Sequence, residues 1–533
     1  MEGPIVGTRL IPFRCEVDSV RSWLMDIRLM PEEECMTVME AKPIHNSPVN
    51  VENLAAKLKE CVYRLERVKD GLFADLSQIY RDQKDGITES LRPSILSLKI
   101  RIRSGLLEVA EVCPELQNIA QEQQGIIDEM KNLIRCFDMC LDLSDQSVGM
   151  FKRSLTTLGK ALKAHLTCAQ GSLVGKLVEM LQSSASEPNV KFAVFTIRCL
   201  AQDGVWLRQL LIEQDTMRVL LAICRITTFS ISSIPITALE VVSILCTEKK
   251  GSDELEKVGG IGALSEILAS PITSEAIKKE AASVLAEIAS PDSDILQRVL
   301  CFIEHMGDLL RNLTVLCDQT SSSSVFLVAT TAIANITFMD PMASDYLAEF
   351  RTPEILIEGY QQGKAQSIYS KHQIITIIAN VSCSKTCREQ IVSCGGISIL
   401  AELLQGESLR PLRRRLSFNE SQPVAAPIGE ENTYEDIFHK SAIALSRLCQ
   451  DHKTCQIAVD LKVLSNLADL CDKAREKNYR RDTLIACLTA LRRIHSQIGP
   501  SPLKGAEVEQ LIQPRLFESY LRCSSPVKRE TFV

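Results

Sequence analysis

Aromatic residues are scarce in this chain: 15 Phe, 8 Tyr and 2 Trp among 533 residues. Strand-like alternation is equally rare, and the apolar content is carried by Leu, Ile, Val and Ala, so an all-α protein is expected rather than a sandwich or barrel. No apolar run approaches the ~18–20 residues that span a bilayer. The opening MEGPIVGTRLIPF has no apolar h-region, so no secretory signal is expected and any membrane association would come through a partner. An excess of basic charge is missing too. Asp and Glu number 67 against 60 Lys and Arg, interspersed, for a net charge of −7, which argues against a general nucleic-acid surface.

Motifs that carry chemistry are also lacking. The seven histidines are scattered, with none in an HExxH pattern, and Gly259-Gly260 and Gly395-Gly396 have neither a P-loop Lys nor a GxGxxG frame. Cys383, Cys387 and Cys394, like Cys136 and Cys140, have loose metal-like spacing without paired CxxC knuckles. Many of the 20 cysteines sit inside apolar helical patterns, as do Cys199, Cys224, Cys246, Cys301 and Cys487, so buried reduced thiols in a cytosolic protein are expected. No catalytic residue, metal or cofactor is expected. The chain reads as a non-enzyme.

What is present is helical periodicity. Leu58, Leu65, Leu72 and Ile79 fall seven apart, with Leu54, Val62, Val68 and Leu76 on the same face. Ile95, Leu98, Ile102, Leu106, Val109 and Val112 mark a second helix, Leu116 to Phe137 a third, and Val148 to Leu166 a fourth. Residues 51–170 therefore read as an antiparallel helical bundle, with a dimerising coiled coil as the alternative.

From Gly171 to about residue 500 the pattern becomes a repeat. Aligned cores end in Leu200, Leu245, Ile288, Ile336, Val381, Leu448 and Ile494, at intervals of 45, 43, 48, 45, 67 and 46 residues. Two stretches, Val258-Gly-Gly-Ile-Gly-Ala-Leu-Ser-Glu-Ile-Leu268 and Cys394-Gly-Gly-Ile-Ser-Ile-Leu-Ala-Glu-Leu-Leu404, are near copies. This unit resembles the armadillo repeat, in which a Gly pair permits a sharp turn between the first helices and the last helix lines a groove. The resemblance implies that an Asn on that last helix holds the backbone of an extended peptide. Asn335 and Asn380 match that position, whereas other repeats offer Glu287, Arg447 and Arg493, which puts a regular asparagine ladder in doubt.

The 67-residue interval contains an insertion at about 406–433, polar and marked by Pro423 and Pro427, expected to be an exposed loop. Within it Arg414-Arg415-Leu416-Ser417 fits a basophilic-kinase site, making Ser417 a candidate phosphosite. Residues 501–533 are expected to hold a short helix at Val508–Leu521, interrupted at Pro514, and a polar tail ending Glu530-Thr531-Phe532-Val533. That ending fits a class I PDZ ligand. The tail would add a strand, the carboxylate would enter a backbone N–H nest, and Val533 would fill a pocket.

Residues 1–50 form a separate linear segment. Asp18 suits an N-cap, Val20, Trp23, Leu24 and Ile27 recur at i, i+3, i+4 and i+7, and Pro31 should stop the helix at Met30. A helix this short is marginal alone in water. The pattern fits either a partner-binding segment or a helix that packs back on the domain that follows. The run VDSVRSWLMDIRLMPEEECMTVMEAKPI, with the repeats and the C-terminal tail, resembles the Inscuteable family of spindle-orientation adaptors. That resemblance implies that the segment engages the tetratricopeptide groove of a Pins/LGN scaffold, itself linked to Gα subunits. Val20, Trp23, Leu24 and Ile27 would be apolar anchors, Glu32 and Glu34 would meet basic residues, and Met36 and Val38 would continue the contact. In their own right the two glutamates could instead cap a second helix. The resemblance further implies that the repeats and tail engage a Bazooka-type PDZ scaffold, that nucleic acid is not a partner, and that the protein is cytoplasmic and recruited to the apical cortex. An armadillo-type cargo or catenin-like receptor, or an exchange-factor-like regulator of a GTPase, are the rival functions. The expected fold is all-α, an armadillo-type superhelix preceded by a bundle and a short N-terminal helix.

Overall fold

The computed structural model describes residues 49–84, 88–113, 119–140, 145–183, 186–226, 233–290, 302–340, 342–406, 428–477, 479–499, 511–512 and 515–524. Among these every regular element is a helix. Four helices come first: α1 (Val49–Lys84), α2 (Thr88–Val112), α3 (Ile119–Cys140) and α4 (Asp145–Ser183). The two longest, α1 and α4, pack on each other, and α2 and α3 flank them on α1 and α4 respectively. The heptad positions Leu58, Leu65, Leu72 and Ile79 are all buried, as are Leu98 and Val109 of α2, Leu133 of α3 and Leu158 of α4. Each such side chain contributes roughly 1.5–3 kcal/mol by leaving water. That burial is what a helix of mostly polar outer face needs to stay folded.

Gly171 does not mark a break. It lies within the 39-residue α4, which continues to Ser183 and packs on α5 (Glu187–Asp203), α6 (Val205–Glu213) and α7 (Thr216–Cys224). A Cβ at Gly171 or Gly175 would come within 3.2 or 3.0 Å of the Gln214 side chain, so these glycines serve close packing between α4 and the first repeat. α1 reaches the same repeat. Tyr63 donates to Asp203, and the Lys69 ammonium lies 4.6 Å from the Trp206 ring centroid, a cation–π contact.

Three-helix units follow: α8 (Ser233–Cys246) closes the first; α9 (Lys249–Lys257), α10 (Gly260–Ala269) and α11 (Glu275–Ile288) form the next. Then come α12 (Met306–Gln319) with α13 (Ser323–Met339), and α14 (Ala343–Glu349), α15 (Thr352–Gln361) and α16 (Ile368–Val381). The last are α17 (Lys385–Ser393), α18 (Gly396–Gln405) and α19 (Ile428–Leu448), and α20 (His452–Asp460), α21 (Val463–Lys477) and α22 (Arg481–Ile498). The closing helices α5, α8, α11, α13, α16, α19 and α22 stack in chain order as one continuous layer. All seven aligned aliphatics, Leu200 to Ile494, are buried in it. Each unit buries its apolar face only against its neighbours, the defining physics of an armadillo-type array.

The turn into the second helix of a unit needs one left-handed residue. Gly259 (φ 69°) and Gly395 (φ 84°) supply it without strain, while Asp215, Arg351 and Lys462 adopt φ of 57°, 55° and 60° at the equivalent place. The next residue must be small in the glycine repeats. A Cβ at Gly260 would meet Leu255 Cδ1 at 2.4 Å, and one at Gly396 would meet Ile391 Cγ2 at 2.5 Å.

The insertion ends earlier than the sequence suggests. α19 begins at Ile428, directly after Pro427, and Thr433 is already buried within it, so the segment 428–433 belongs to a helix and not to the loop. At the C-terminus α23 (Leu516–Ser524) packs on α21 and α22. Arg492 fastens it, donating through Nη2 to the Leu511 carbonyl at 3.0 Å and to Ser519 Oγ at 2.6 Å.

Candidate functional site: the third-helix face

The layer of closing helices carries the sequence-expected groove residues, and their side chains are engaged within the layer. Asn335 Nδ2 donates to the Ala286 carbonyl of α11 at 2.9 Å. Asn380 Nδ2 donates to Thr337 Oγ1 of α13 at 3.0 Å, and Arg447 Nη1 to the Ala379 carbonyl of α16 at 2.6 Å. All three are half-buried and each ties its helix to the preceding unit. The two asparagines therefore have a structural partner each, which uses one of the two Nδ2 donors and leaves the second donor and the amide oxygen.

A second cross-link is invisible in the repeat alignment. Lys440 Nζ of α19 lies 2.9 Å from both His372 Nε2 and Thr376 Oγ1 of α16. Burial first, and then the Lys440 charge, pull the His372 imidazolium down to about 4, with Asp436 opposing weakly. A neutral ring can accept from the ammonium. The pair thus binds two units together only in the deprotonated state of His372. Asp436 is itself paired with Arg480. No signal in the sequence marks His372 as different from the other histidines, because its partner is 68 residues away.

The buried thiols are poor nucleophiles. Burial pushes Cys317 and Cys487 up to about 12, and Cys387 up to about 11. Cys199, Cys246 and Cys487 lie in closing helices and Cys224 at the end of α7; Cys301 is outside the described residues. Among the described residues no group of three His, Cys, Asp or Glu side chains could hold a metal ion. None of the described helices is long and apolar enough to cross a membrane. Val20, Trp23, Leu24, Ile27, Glu32, Glu34, Met36, Val38, Ser417, Glu530, Thr531 and Val533 also lie outside the described residues.

A family profile described as "Protein inscuteable C-terminal" matches residues 74–533. The chain belongs to the Inscuteable family. A second profile, "Inscuteable LGN-binding domain", matches residues 15–50, the stretch that contains the amphipathic run at Val20–Ile27. The protein inscuteable homologues of Mus musculus and Homo sapiens are each 28% identical over 97% of this chain and 88% of their own length. Among solved structures, an engineered protein aligns with 84% of the chain and 99% of its own at a TM-score of 0.47 and 18% identity. A designed armadillo repeat protein aligns with 52% of the chain and 99% of its own at 0.39 and 19%. The family therefore brings together an LGN-binding segment and the helical array described above.

Proposed function

We propose that this chain is a non-enzymatic adaptor that couples a Bazooka-type apical polarity scaffold to the Pins/LGN–Gα assembly, and so orients the mitotic spindle in asymmetric division. The observation that carries the reading is the LGN-binding domain matched at residues 15–50, ahead of an array of stacked helical units. Val20, Trp23, Leu24 and Ile27 are its apolar anchors, and Glu32, Glu34, Met36 and Val38 extend the contact along the tetratricopeptide groove. Four anchors supply roughly 6–12 kcal/mol gross, of which ordering the segment takes back about 2–5 kcal/mol. Glu530, Thr531 and Val533 form the PDZ ligand at the opposite end, and the repeats provide a second surface. On this reading the protein is cytoplasmic and cortical by recruitment, and phosphate at Ser417 regulates it.

The test is a titration of the LGN tetratricopeptide domain with a peptide of residues 16–46. Trp23→Ala with Ile27→Ala should weaken it by more than about a hundredfold, since two buried anchors at ~1.5–3 kcal/mol each are removed; an unchanged affinity would refute the anchor assignment. Deleting Thr531–Val533 should abolish capture by the PDZ scaffold and leave groove binding intact. The rival cargo-receptor reading needs a dense ladder of groove asparagines, whereas the aligned positions offer only Asn335 and Asn380 beside Glu287, Arg447 and Arg493. A nucleotide-release assay with Gα separates the adaptor from an exchange factor.

A further inference from the structure

One helix in the bundle has two apolar stripes. The first, Ile95, Leu98, Ile102, Leu106 and Val109, is buried. The second is Leu96, Ile100 and Leu107, which are 52%, 71% and 66% exposed. At 100° per residue the three fall within roughly 40° of one another, a single ridge along the outer side of α2. α2 packs on α1 and, more lightly, on α3, and no other described element covers that ridge. Three exposed cations, Arg92, Lys99 and Arg103, flank it, and among the described residues none of them forms an ion pair or hydrogen bond. Arg101, the remaining cation of the helix, is instead paired with Asp75.

The ridge calls for an amphipathic segment with acidic charge beside it, and the chain carries one. Asp18–Met30 places Val20, Trp23, Leu24 and Ile27 at helical spacing and is itself charge-balanced, Asp18 and Asp26 against Arg21 and Arg28; the acidic excess lies at its ends, in Glu16 and Glu32-Glu33-Glu34. Reach is sufficient. The 18 residues between Met30 and Val49 span up to about 60 Å extended. Gly105 lies against Val68, so α2 runs back along α1 and its Leu107 end is the nearer one to Val49. Roughly 40 Å of α1 separates Val49 from the level of Leu96.

We infer that, without a partner, the Asp18–Met30 segment docks on the Leu96–Ile100–Leu107 ridge of α2, so that the same apolar face engages either this chain or the LGN groove. Docking through the ridge is independent of the adaptor reading; the competition rests on it. The two states exclude each other because both bury Trp23 and Ile27. A docked fraction lowers apparent affinity for the groove in proportion to the molecules left open.

The test uses the full chain. A photo-crosslinker in place of Ile100 should capture residues 18–30 of the same molecule at high dilution. Ile100→Glu with Leu107→Glu, both on exposed positions, should raise deuterium uptake across 18–30 and leave the thermal midpoint unchanged. If nine-tenths of the molecules are docked, the double variant should also bind the LGN domain about tenfold more tightly. Uptake that stays the same in the double variant overturns the inference, as do crosslinks only to a second copy that vanish on dilution. Sedimentation with vesicles of roughly one-third phosphatidylserine, lost in the double variant while uptake stays flat, would assign the ridge to a lipid surface instead. Hydrogen exchange needs no partner, so a chain that fails to bind LGN would refute the adaptor reading without touching the docking result.

Discussion

At the residue scale, a single proton decides one contact between repeats. His372 is held at about 4 by burial and by Lys440, against an ordinary value of 6.5. Between those values the unfolded chain binds more protons than the folded one, so the contribution is intact above pH ~6.5 and lost as pH falls through 4. The full shift corresponds to at most about 3 kcal/mol. Wild-type protein should therefore lose thermal stability on acidification from pH 7 to 4.5 more steeply than His372→Gln, which keeps a neutral acceptor; parallel curves would refute the assignment. Asp451 is a simpler case. It caps α20 by accepting from Thr454 N at 2.9 Å, and Asp451→Ala should cost about 1 kcal/mol in urea denaturation followed by helicity. That cap is readable from Asp451-His-Lys-Thr in the chain, whereas the His372–Lys440 pair needs the packing of two units.

At the element scale, the turn between the first and second helices shows how one geometry is met by different residues. The Gly-Gly pairs at 259–260 and 395–396 are legible as turns, and the structure confirms a left-handed first glycine in each. The equivalent residues Asp215, Arg351 and Lys462 are not legible, because the array's packing imposes a conformation that their own preferences disfavour. Gly396→Ala should destabilise more than Gly395→Ala. The first forces a methyl against Ile391 Cγ2 at 2.5 Å and the Ile391 carbonyl at 2.8 Å, roughly 1–3 kcal/mol of overpacking. The second costs about 1 kcal/mol of left-handed strain, its methyl meeting only Gln361 Nε2 at an ordinary 3.7 Å. Thermal midpoints of the two variants check the order. Arg351→Gly and Lys462→Gly run the other way and should be neutral to stabilising by a few tenths to about 1 kcal/mol.

At the scale of the whole molecule, the helical bundle closes one end of the array and α23 the other. Solenoid ends expose the apolar side of a terminal unit unless something covers it. Here α1 and α4 pack on α5, with Trp206 beneath Lys69, and Arg492 holds Leu511 and Ser519 over α22. Trp206→Ala should loosen the bundle from the first repeat, and Arg492→Met should free α23. Hydrogen exchange would show each as raised uptake confined to α5–α6 or to residues 516–524, with the central repeats unchanged. Uptake spread evenly over the array would mean that the ends do not act as caps.

The sequence alone determined the all-α class, the seven repeat cores and the amphipathic segment near the N-terminus, because apolar periodicity is a local property of the chain. It also placed the heptad core of α1, since residues seven apart on a helix must share a face. Only the tertiary structure decided that Gly171 is a packing contact, that Thr433 lies in a helix, and that Asn335 and Asn380 serve the preceding units. The glycine and asparagine outcomes depend on partners some 40 or more residues away, whose distances no spacing rule encodes. The exposed ridge of α2 belongs to the same class. Its leucines and isoleucine read as ordinary helix formers until the structure shows that the helix's other stripe already fills the core.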